Sequence, residues 1–308
     1  MDNPILEQKI VNVSSADGTL NNGTFKSNIT FNFKNVLYDD PDIISISTGL
    51  LNAQIPVSFY TINYTNDTLN IKVNSDVNKT LSITRGNYNS NSLITELQTQ
   101  LLAAGYTFAI ATSRITGIMT FTSVGNSFTF YGTSTLFSIL GFAIGTNYNS
   151  SSSSIVAPYP LNLLGIKRLK VNSVALSTIA YDSRNMGMRS TIASVPVNVA
   201  SYSLIDYVNT TNAYPICQAK TVSAIDIHIL DENDNYINFN NTDWTMTLQI
   251  NVIRQNIKRV GIFEPMISVL QDIKEELAPE DKTDDIPAVP YNAPTDNDLD
   301  LLLYNHTL

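Results

Sequence analysis

The most constraining feature of this sequence is a run after residue 243 in which apolar and polar residues alternate strictly. Five apolar residues occupy every second position, and threonine, glutamine and asparagine lie between them. Because the side chains of a β-strand point alternately to the two faces of a sheet, this run predicts a strand with one face on a core and one in water. The predicted core positions are Trp244, Met246, Leu248 and Ile250, followed by Val252.

Several other segments of the chain also have strand patterns. No regular alternation of strands and helices accompanies them, so a parallel sheet is not indicated. About eight strands in total predict a mainly β chain, folded as an antiparallel two-sheet sandwich of the jelly-roll or the immunoglobulin type. The additional predicted strands lie within residues 24–33, 43–59, 161–176, 191–199, 203–208 and 221–230.

Residues 60–153 differ in pattern and predict a small α+β module inserted into the sandwich. Leucines recur at helical spacing after Ser90 and Ser92, either of which can cap a helix, and Gly105 supplies a stop. A turn at Gly125-Asn126 predicts a hairpin, and a short apolar helical piece follows it. The module's predicted strands cover residues 69–73, 80–84, 106–111, 118–122 and 128–131.

This pattern divides the chain into four parts. The serine-rich run at residues 147–154 has the composition of a flexible connector, so the module is expected to end there. The parts are an N-terminal arm (1–23), a sandwich (24–59 and 154–262), the module (60–153) and an acidic C-terminal helix and tail (263–308).

The tail carries most of the negative charge of the chain. Ten acids and two lysines lie between Asp272 and Asp300, in a chain whose net charge is −9. Four prolines in the same region favour an extended conformation. The apolar cluster at its end either packs back on its own body or docks on a neighbouring subunit. The candidate docking residues are Asp298, Leu299, Leu301, Leu302, Leu303 and Tyr304.

The segment Asp231–Asn235 spaces oxygen ligands two residues apart, as a calcium-binding loop does. An EF-hand loop also needs glycine at its sixth position and glutamate at its twelfth, and these positions hold Tyr236 and Thr242. The segment therefore predicts a polar loop in a hairpin-like pair of antiparallel strands. An adventitious surface cation site is the alternative.

Candidate catalytic residues are scarce. His228 is expected to be a surface residue on a strand, and His306 lies in the tail. Cys217, the only cysteine, is expected to be a small buried hydrophobe. Asp206 and Asp226 have no evident partner, and the phosphate-binding loop and nucleophile-elbow motifs are absent. The sequence therefore predicts a protein that is not an enzyme and holds no cofactor or metal.

Charge and hydropathy exclude two further classes of partner. The body of the chain is nearly neutral and offers no basic field for nucleic acid. No window approaches about 18 consecutive apolar residues, so no membrane span is expected. The N-terminus has no basic stretch followed by an apolar run, so no secretory signal is predicted.

Three stretches carry a resemblance to a known family. They are LSITRGNYNSNSLITELQTQLLAAGYTFAIATSRITGIMTF (81–121), LFSILGF (136–142) and IDIHILDENDNYINFNNTDWTMTLQI (225–250). Their order and spacing resemble those of penton and minor capsid proteins of virophages, polinton-like elements and large DNA viruses, above all a virophage penton protein. The likeness covers most of residues 24–254.

The resemblance implies a single jelly roll, five copies of which close the vertex of an icosahedral capsid, with the inserted module projecting outward. The expected partners are other copies of the chain and the major capsid protein. A host-surface receptor is a third candidate partner. The expected location is the virion, after assembly in the host cytoplasm or a viral factory.

Two other functions stay open. The chain is alternatively a minor capsid protein that cements major capsomers. It is otherwise a receptor-binding or glycan-binding attachment module, for which exposed tyrosines would be the sign, although strand tyrosines pack into cores as often. The candidates are Tyr60, Tyr64, Tyr88, Tyr131 and Tyr148.

Overall fold

A computed structural model describes most of the first 254 residues of the chain. All of these residues belong to one compact unit, Met1–Ile257, and the acidic tail with its predicted docking residues and His306 lies outside the described residues. The described ranges are 5–21, 25–34, 38–39, 43–176, 180–182, 187–211, 214, 216–217 and 221–254.

The described chain is built mainly of β-strands, and its two helices lie in the middle third. The first strands are β1 (Ile5–Ser14), β2 (Thr19–Leu20), β3 (Asn28–Asn32), β4 (Tyr38–Asp39) and β5 (Ile43–Pro56). The middle elements are β6 (Thr68–Val73), β7 (Lys79–Ser82), α1 (Ser90–Ala103), β8 (Phe108–Thr112), β9 (Ile118–Ser123), β10 (Phe128–Phe130), α2 (Phe137–Leu140), β11 (Tyr148–Asn149) and β12 (Ser154–Pro160). The last are β13 (Arg168–Asn172), β14 (Ala180–Asp182), β15 (Gly187–Arg189), β16 (Thr191–Pro196), β17 (Leu204–Val208), β18 (Ile216–Cys217), β19 (Thr221–Val222), β20 (Ala224–Leu230) and β21 (Thr245–Arg254).

Ten of these strands, eight of them long, form two antiparallel sheets around one core. The first sheet has the order β1-β21-β5-β17, with β18 also on β5, and the second has the order β16-β13-β20-β3-β2. Taking the eight long strands in chain order, the chain changes sheet at every step except from β13 to β16. This is jelly-roll connectivity, so the expectation of a mainly β jelly-roll sandwich is confirmed. This order of strands is not that of an immunoglobulin-type sandwich, which was the other expected fold.

Strand β21 lies at the centre of the first sheet and carries the alternating run. It pairs along its whole length with β1 on one side and with β5 on the other. Met246, Leu248 and Ile250 are buried in the core between the sheets, and the threonines and glutamine between them face outward. The burial pattern follows from the alternation, since one face of this strand meets the opposite sheet.

Trp244 precedes β21 and is fully buried at one end of the sandwich core. Its indole Nε1–H donates to the backbone carbonyl of Lys26 at 2.7 Å. Its ring meets Phe31 of the second sheet edge-on, with ring centroids 6.3 Å apart. A buried indole is stable only when its N–H has a partner, and here that partner belongs to the segment leading into β3. Trp244 therefore joins the two sheets.

Residues 5–14, which the sequence analysis assigns to an N-terminal arm, form strand β1 of the sandwich. Val11 and Val13 point into the core, and Ser14 pairs with Thr245 at the end of the ladder. The apolar residues Ile10 and Val11 are adjacent, so they lie on opposite faces of the strand and hide its period of two. For this reason the strand pattern is not visible in the sequence.

The inserted module has its own core between two small sheets and helix α1. The sheets have the orders β11-β10-β6-β7 and β12-β9-β8. Leu93, Leu97 and Leu101 bury one face of α1 against them. The helix cap is Asn89, not Ser90 or Ser92, and Ser92 completes a capping box by bonding back to the Asn89 backbone. Among the described residues, neither helix is long and apolar enough to cross a membrane.

The Leu-Gly-Phe sequence at residues 140–142 has a specific role in the module. Gly141 ends α2 with a φ of +83°, and a β-carbon there would collide with the backbone of Tyr159 in β12. Only glycine combines this left-handed conformation with so close a neighbouring strand. Phe142 then enters a cluster of rings with Phe121, Phe130, Phe137 and Tyr148.

The module extends beyond the boundary that the sequence analysis draws at residue 153. Strand β12 follows the serine-rich connector and pairs with β9, and its Ile155 and Ala157 are buried in the module core. A strand pattern in the sequence does not tell which sheet the strand joins, which is why residues 154–160 appear there as part of the sandwich. The sandwich core resumes at Leu169 in β13.

We predict that Trp244→Ala lowers the free energy of unfolding by about 3–5 kcal/mol, because it leaves a large cavity between the sheets. Circular dichroism during denaturant unfolding measures the change, since Trp244 is the only tryptophan and its fluorescence is lost. The matched control is Ile115→Ala, at a side chain that is 97% exposed. An unfolding midpoint for Trp244→Ala equal to that of the control would contradict the role of the indole.

Candidate functional site

The connection from β20 to β21 crosses between the two sheets, so the predicted hairpin-like pair is wrong. Strand β20 lies in the second sheet and β21 in the first. After a narrow turn, in which the Ile237 amide donates to the Ile229 carbonyl at 3.2 Å, the chain runs across one end of the sandwich. Alternation identifies each strand and its buried face, but it does not tell whether two successive strands pair with each other.

The carboxylate of Asp231 holds the start of this connection. Its Oδ1 accepts hydrogen bonds from the backbone amides of Asn233 and Asn235 at 2.7 and 2.8 Å. Its Oδ2 accepts from the side-chain amide of Asn235 at 3.0 Å. Asp234 adopts a left-handed conformation in the same turn, with a φ of +65°. Asp231 therefore acts as an Asx-turn residue whose two oxygens are both used within the loop.

The other acids of the calcium-like segment also bind protein groups. Asp234 accepts from the Lys170 ammonium at 2.7 Å, and Glu232 accepts from the Lys167 backbone amide at 2.7 Å. Lys170 thus brings a positive charge into contact with this loop. Within the described ranges, no three His, Cys, Asp or Glu side chains group in a way that could hold a metal ion.

The connection forms one wall of two clefts between the sandwich and the module. The larger cleft has a volume of about 640 Å³ and the smaller about 180 Å³. Both are lined by Asn63, Thr65, Ile166, Asp231 and Asn235, so they are contiguous. The remaining walls come from the segment between β5 and β6, from the segment between β10 and α2 with α2 itself, and from the segment between β12 and β13. Ile144 and Arg85 complete the lining.

A network of asparagine side chains fixes the segment between β5 and β6. Asn63 Oδ1 accepts from the Thr65 amide and hydroxyl at 2.9 and 2.8 Å, and Asn66 Oδ1 accepts from the Asn63 amide at 2.8 Å. Asn87, from the lead-in to α1, accepts from the Thr61 amide at 2.8 Å. Amide side chains that bond their neighbouring backbone hold a loop in one conformation. This wall of the cleft is therefore preorganised.

In the wall of the smaller cleft, Tyr64 of the segment between β5 and β6 meets Tyr236 of the connection. The Tyr64 hydroxyl donates to the backbone carbonyl of Tyr236 at 2.9 Å, and the Tyr64 ring lies 5.3 Å from that of Phe25. Burial, together with the nearby charge of Asp231, raises the pKa of Tyr64 above its usual value. The phenol therefore stays protonated and keeps donating to the carbonyl.

His228 and Asp226, which the sequence analysis describes as a surface residue and an unpartnered carboxylate, are bonded to each other. His228 Nε2 lies 2.7 Å from Asp226 Oδ2, and His228 Nδ1 lies 3.1 Å from the Tyr236 hydroxyl. Ser173 donates to Asp226 at 2.9 Å and not to the imidazole, so these residues do not form a nucleophile–base pair. The earlier interpretation is wrong because residues two apart on a strand share one face.

Asp226 clamps the segment that follows β13 onto β20. Besides His228 and Ser173, its carboxylate accepts from the amides of Val174 and Ala175 at 2.9 and 2.7 Å. Burial opposes ionisation of Asp226, but the hydrogen bonds from His228 and from this segment outweigh it and hold its pKa well below the usual range. The arrangement is a structural clamp.

The remaining candidates named from the sequence are apart from the clefts. Cys217 is buried, its thiol donates to Thr48 Oγ1 at 3.1 Å, and burial raises its pKa, so the thiol stays protonated. Asp206 is exposed on the outer face of β17. Trp244, Met246, Leu248 and Ile250 are core residues of the sandwich.

Comparison with solved structures finds chains that resemble this one. A crystal structure of a mavirus penton protein resembles the chain with a TM-score of 0.43 and 11% sequence identity, over 80% of this chain and 100% of that protein. No protein-family model matches the sequence, and no curated protein matches it. A TM-score below 0.5 at this identity assigns no function to the chain.

We predict that Asp226→Asn lowers the free energy of unfolding by about 1–3 kcal/mol near pH 7, because the charge-assisted hydrogen bonds to this carboxylate are lost. The folded-state pKa of Asp226 is depressed, so its stabilisation is present above the ordinary carboxyl pKa of about 4 and is lost as the pH falls below it. The difference between wild type and variant should therefore shrink from pH 5 towards more acidic conditions.

Denaturant unfolding at a series of pH values measures this difference. Asp206→Asn is the matched control, since Asp206 is an exposed carboxylate on β17 of the other sheet. A stability difference for Asp226→Asn that stays constant below pH 4 would show that the charge of Asp226 does not stabilise the clamp.

Proposed function

We propose that this chain is a structural virion protein, a penton subunit of which five copies form a ring at each vertex of an icosahedral capsid. The resemblance of three stretches to penton and minor capsid proteins supports this proposal. The jelly-roll connectivity of the sandwich, with β1-β21-β5-β17 facing β16-β13-β20-β3, is the observation that carries it. Contact with the major capsid protein and location in the virion follow from the same proposal.

The stretches that carry the resemblance have identifiable structural roles. The Gly-Asn-Tyr run at residues 86–88 leads into α1, and its Asn87 bonds the segment that enters the module. Gly141 allows α2 to end against β12. The alternating run forms the central strand of the first sheet. Each of these residues is needed for the fold of this chain. Their presence in the stretches that resemble penton and minor capsid proteins supports an architecture shared with those proteins.

Two apolar edges of the first sheet support a ring. Leu6 and Ile10 lie on the outer face of β1 at one edge, and further exposed apolar residues lie at the opposite edge, on β17 and β18. All are between 50% and 58% exposed in the described unit. Two different patches on opposite edges allow head-to-tail contacts between identical copies, and such heterologous contacts close a ring. The residues of the second edge are Leu204, Val208 and Ile216.

The outer face of β21, which lies between these two edges, carries amide and hydroxyl groups without charge. Gln249 and Asn251 of β21 bond each other at 2.9 Å, and Thr247 donates to Asn12 of β1 at 2.8 Å. Amide and hydroxyl groups that form hydrogen bonds with one another keep this surface polar and offer no charge to a charged partner. The outer face of β21 therefore offers less apolar surface to a partner than the two edges do.

The inserted module is suited to project from one end of the ring. The chain enters the module after β5 ends at Pro56 and returns before β13 begins at Arg168, and residues of both connections line the same cleft. The module therefore attaches at a single end of the sandwich, and we propose that this end faces outward from the capsid.

The acidic tail is proposed to dock on a neighbouring subunit through the cluster at residues 298–304. Its apolar side chains, Leu299, Leu301, Leu302 and Leu303 with Tyr304, lie beside the acids Asp298 and Asp300. An acidic segment that orders on a partner gains specificity from its charge and affinity from its apolar residues.

We predict that Ile10→Asp and Val208→Asp each convert the ring to monomers, because either change introduces an unpaired charge into one of the two edge contacts. Loss of an interface anchor costs at least about 2 kcal/mol per contact. Light scattering coupled to size-exclusion chromatography measures the mass of each variant. The matched control, Ile115→Asp, carries the same change at an exposed module residue and should leave the ring intact.

Mixing the two edge variants tests the head-to-tail geometry directly. Each variant keeps one intact edge, so an equimolar mixture should form a dimer that holds one copy of each variant and grows no further. A wild-type protein that is monomeric at all concentrations would favour the cementing role instead. Rings that persist in both variants would show that these edges are not the contact.

A further inference from the structure

We propose that the contiguous clefts between the sandwich and the module bind a neutral saccharide. The clefts lie within one chain and are formed by segments that are distant in sequence but meet where the module joins the sandwich. The larger cleft, at about 640 Å³, is within the usual size range of small-molecule sites. This inference does not depend on the ring, because every lining residue belongs to the same subunit.

Hydroxyl and amide side chains dominate the walls of the larger cleft. A saccharide presents many hydroxyl groups, each of which both donates and accepts a hydrogen bond. Serine, threonine and asparagine side chains do the same, so they can match a sugar ring without any charge. The polar lining residues include Thr61, Asn63, Thr65, Asn66, Thr133, Ser134, Thr135, Ser138, Asn162, Asn233 and Asn235.

The smaller cleft adds an aromatic wall. Tyr60, Tyr64 and Tyr236 line it, and the last two are 37% and 36% exposed. A tyrosine ring offers an apolar face to the C–H groups of a sugar and a hydroxyl at its rim. Ile144, which is 69% exposed, adds apolar surface to the larger cleft. Aromatic and apolar surface beside dense hydroxyl and amide groups suits a polyhydroxylated ring.

The charges around the clefts argue against an anionic ligand. Among the residues that the structure describes, Arg85 is the only basic one that lines them, and its guanidinium bonds the Asp67 carboxylate at 2.8 Å. Asp231 and Glu232 contribute negative charge to the same walls. A phosphate or a carboxylated sugar would meet these acids without a matching basic cluster. A neutral sugar would meet no such penalty.

The clefts are also preorganised for binding. The asparagine network at residues 61–66 and the Asx turn at Asp231 hold two walls of the clefts through hydrogen bonds within the protein. A rigid site loses less conformational entropy when a ligand binds, so even a small number of sugar contacts yields measurable affinity. The asparagine amide groups of these walls are bonded within the protein, so they hold the shape of the cleft.

The test is binding of the full-length chain to an immobilised panel of saccharides. The panel contains neutral hexoses, neutral N-acetylhexosamines and sialylated or sulfated sugars, and titration calorimetry with the free sugar follows each positive result. The expected result is retention on one or more neutral sugars. Retention confined to acidic sugars, or none on any sugar, would overturn the proposal.

Variants locate the binding within the clefts. Ser138→Trp places a large ring in the larger cleft at an exposed position, and Tyr236→Ala removes one ring of the aromatic wall. Each should raise the dissociation constant at least about tenfold, which corresponds to about 1.4 kcal/mol. The matched controls are Ser82→Trp and Tyr202→Ala, which are exposed and line neither cleft.

Circular dichroism of each variant separates loss of binding from loss of folding. Binding that is unchanged in both folded cleft variants would show that the saccharide binds elsewhere and would overturn the site. The mass of the wild-type protein in the same buffer tests the proposed ring independently. If the protein is a monomer and still binds a saccharide, the ring proposal fails and the cleft proposal stands.

Discussion

The pairing of β21 with β1 and β5 is the interaction on which the rest of the structure depends. Strand β21, the last described strand, lies between β1 and β5. Both of its ladders run along its whole length. Its apolar face closes the core against the second sheet. Trp244 then ties the start of β21 to the segment before β3, so the two sheets are joined where the strand begins.

This arrangement also determines the surfaces that are proposed to function. Because β21 takes the inner position, β1 becomes one edge of the first sheet, and β17 and β18 become the other. The chain must cross from the second sheet to reach β21, and the crossing segment forms a wall of the clefts beside the module. The edges suit contact with other copies, and the clefts suit a small polar ligand.

Much of the fold could be predicted because alternation is a local signal. It identifies β20 and β21, the buried faces of both and the mainly β class. It does not identify the sheet that each strand joins, so β12 was expected in the sandwich and β20 in a hairpin with β21. It also fails for β1, where apolar residues on both faces conceal the period of two.

The candidate site was less predictable because its parts are distant in sequence. Tyr60 and Tyr64 could be named as candidates, but only the structure brings Tyr64 beside Tyr236 and the Asp231 loop. The pairing of Asp226 with His228 had a usable signal, since residues two apart on a strand share a face. The contacts of Asp226 with residues 173–175 had none, because they join segments about fifty residues apart.

The central claim is that identical copies meet through the opposite edges of the first sheet. Its most direct test is cross-linking of a variant with cysteines at Ile10 and at Val208, using a short bifunctional thiol reagent, since the native Cys217 is buried. The account predicts a ladder of covalent products that stops at five copies, and at most trace cross-linking when only one of the two cysteines is present. Dimers formed by the Ile10→Cys variant alone would indicate a two-fold contact between like edges and would contradict the account.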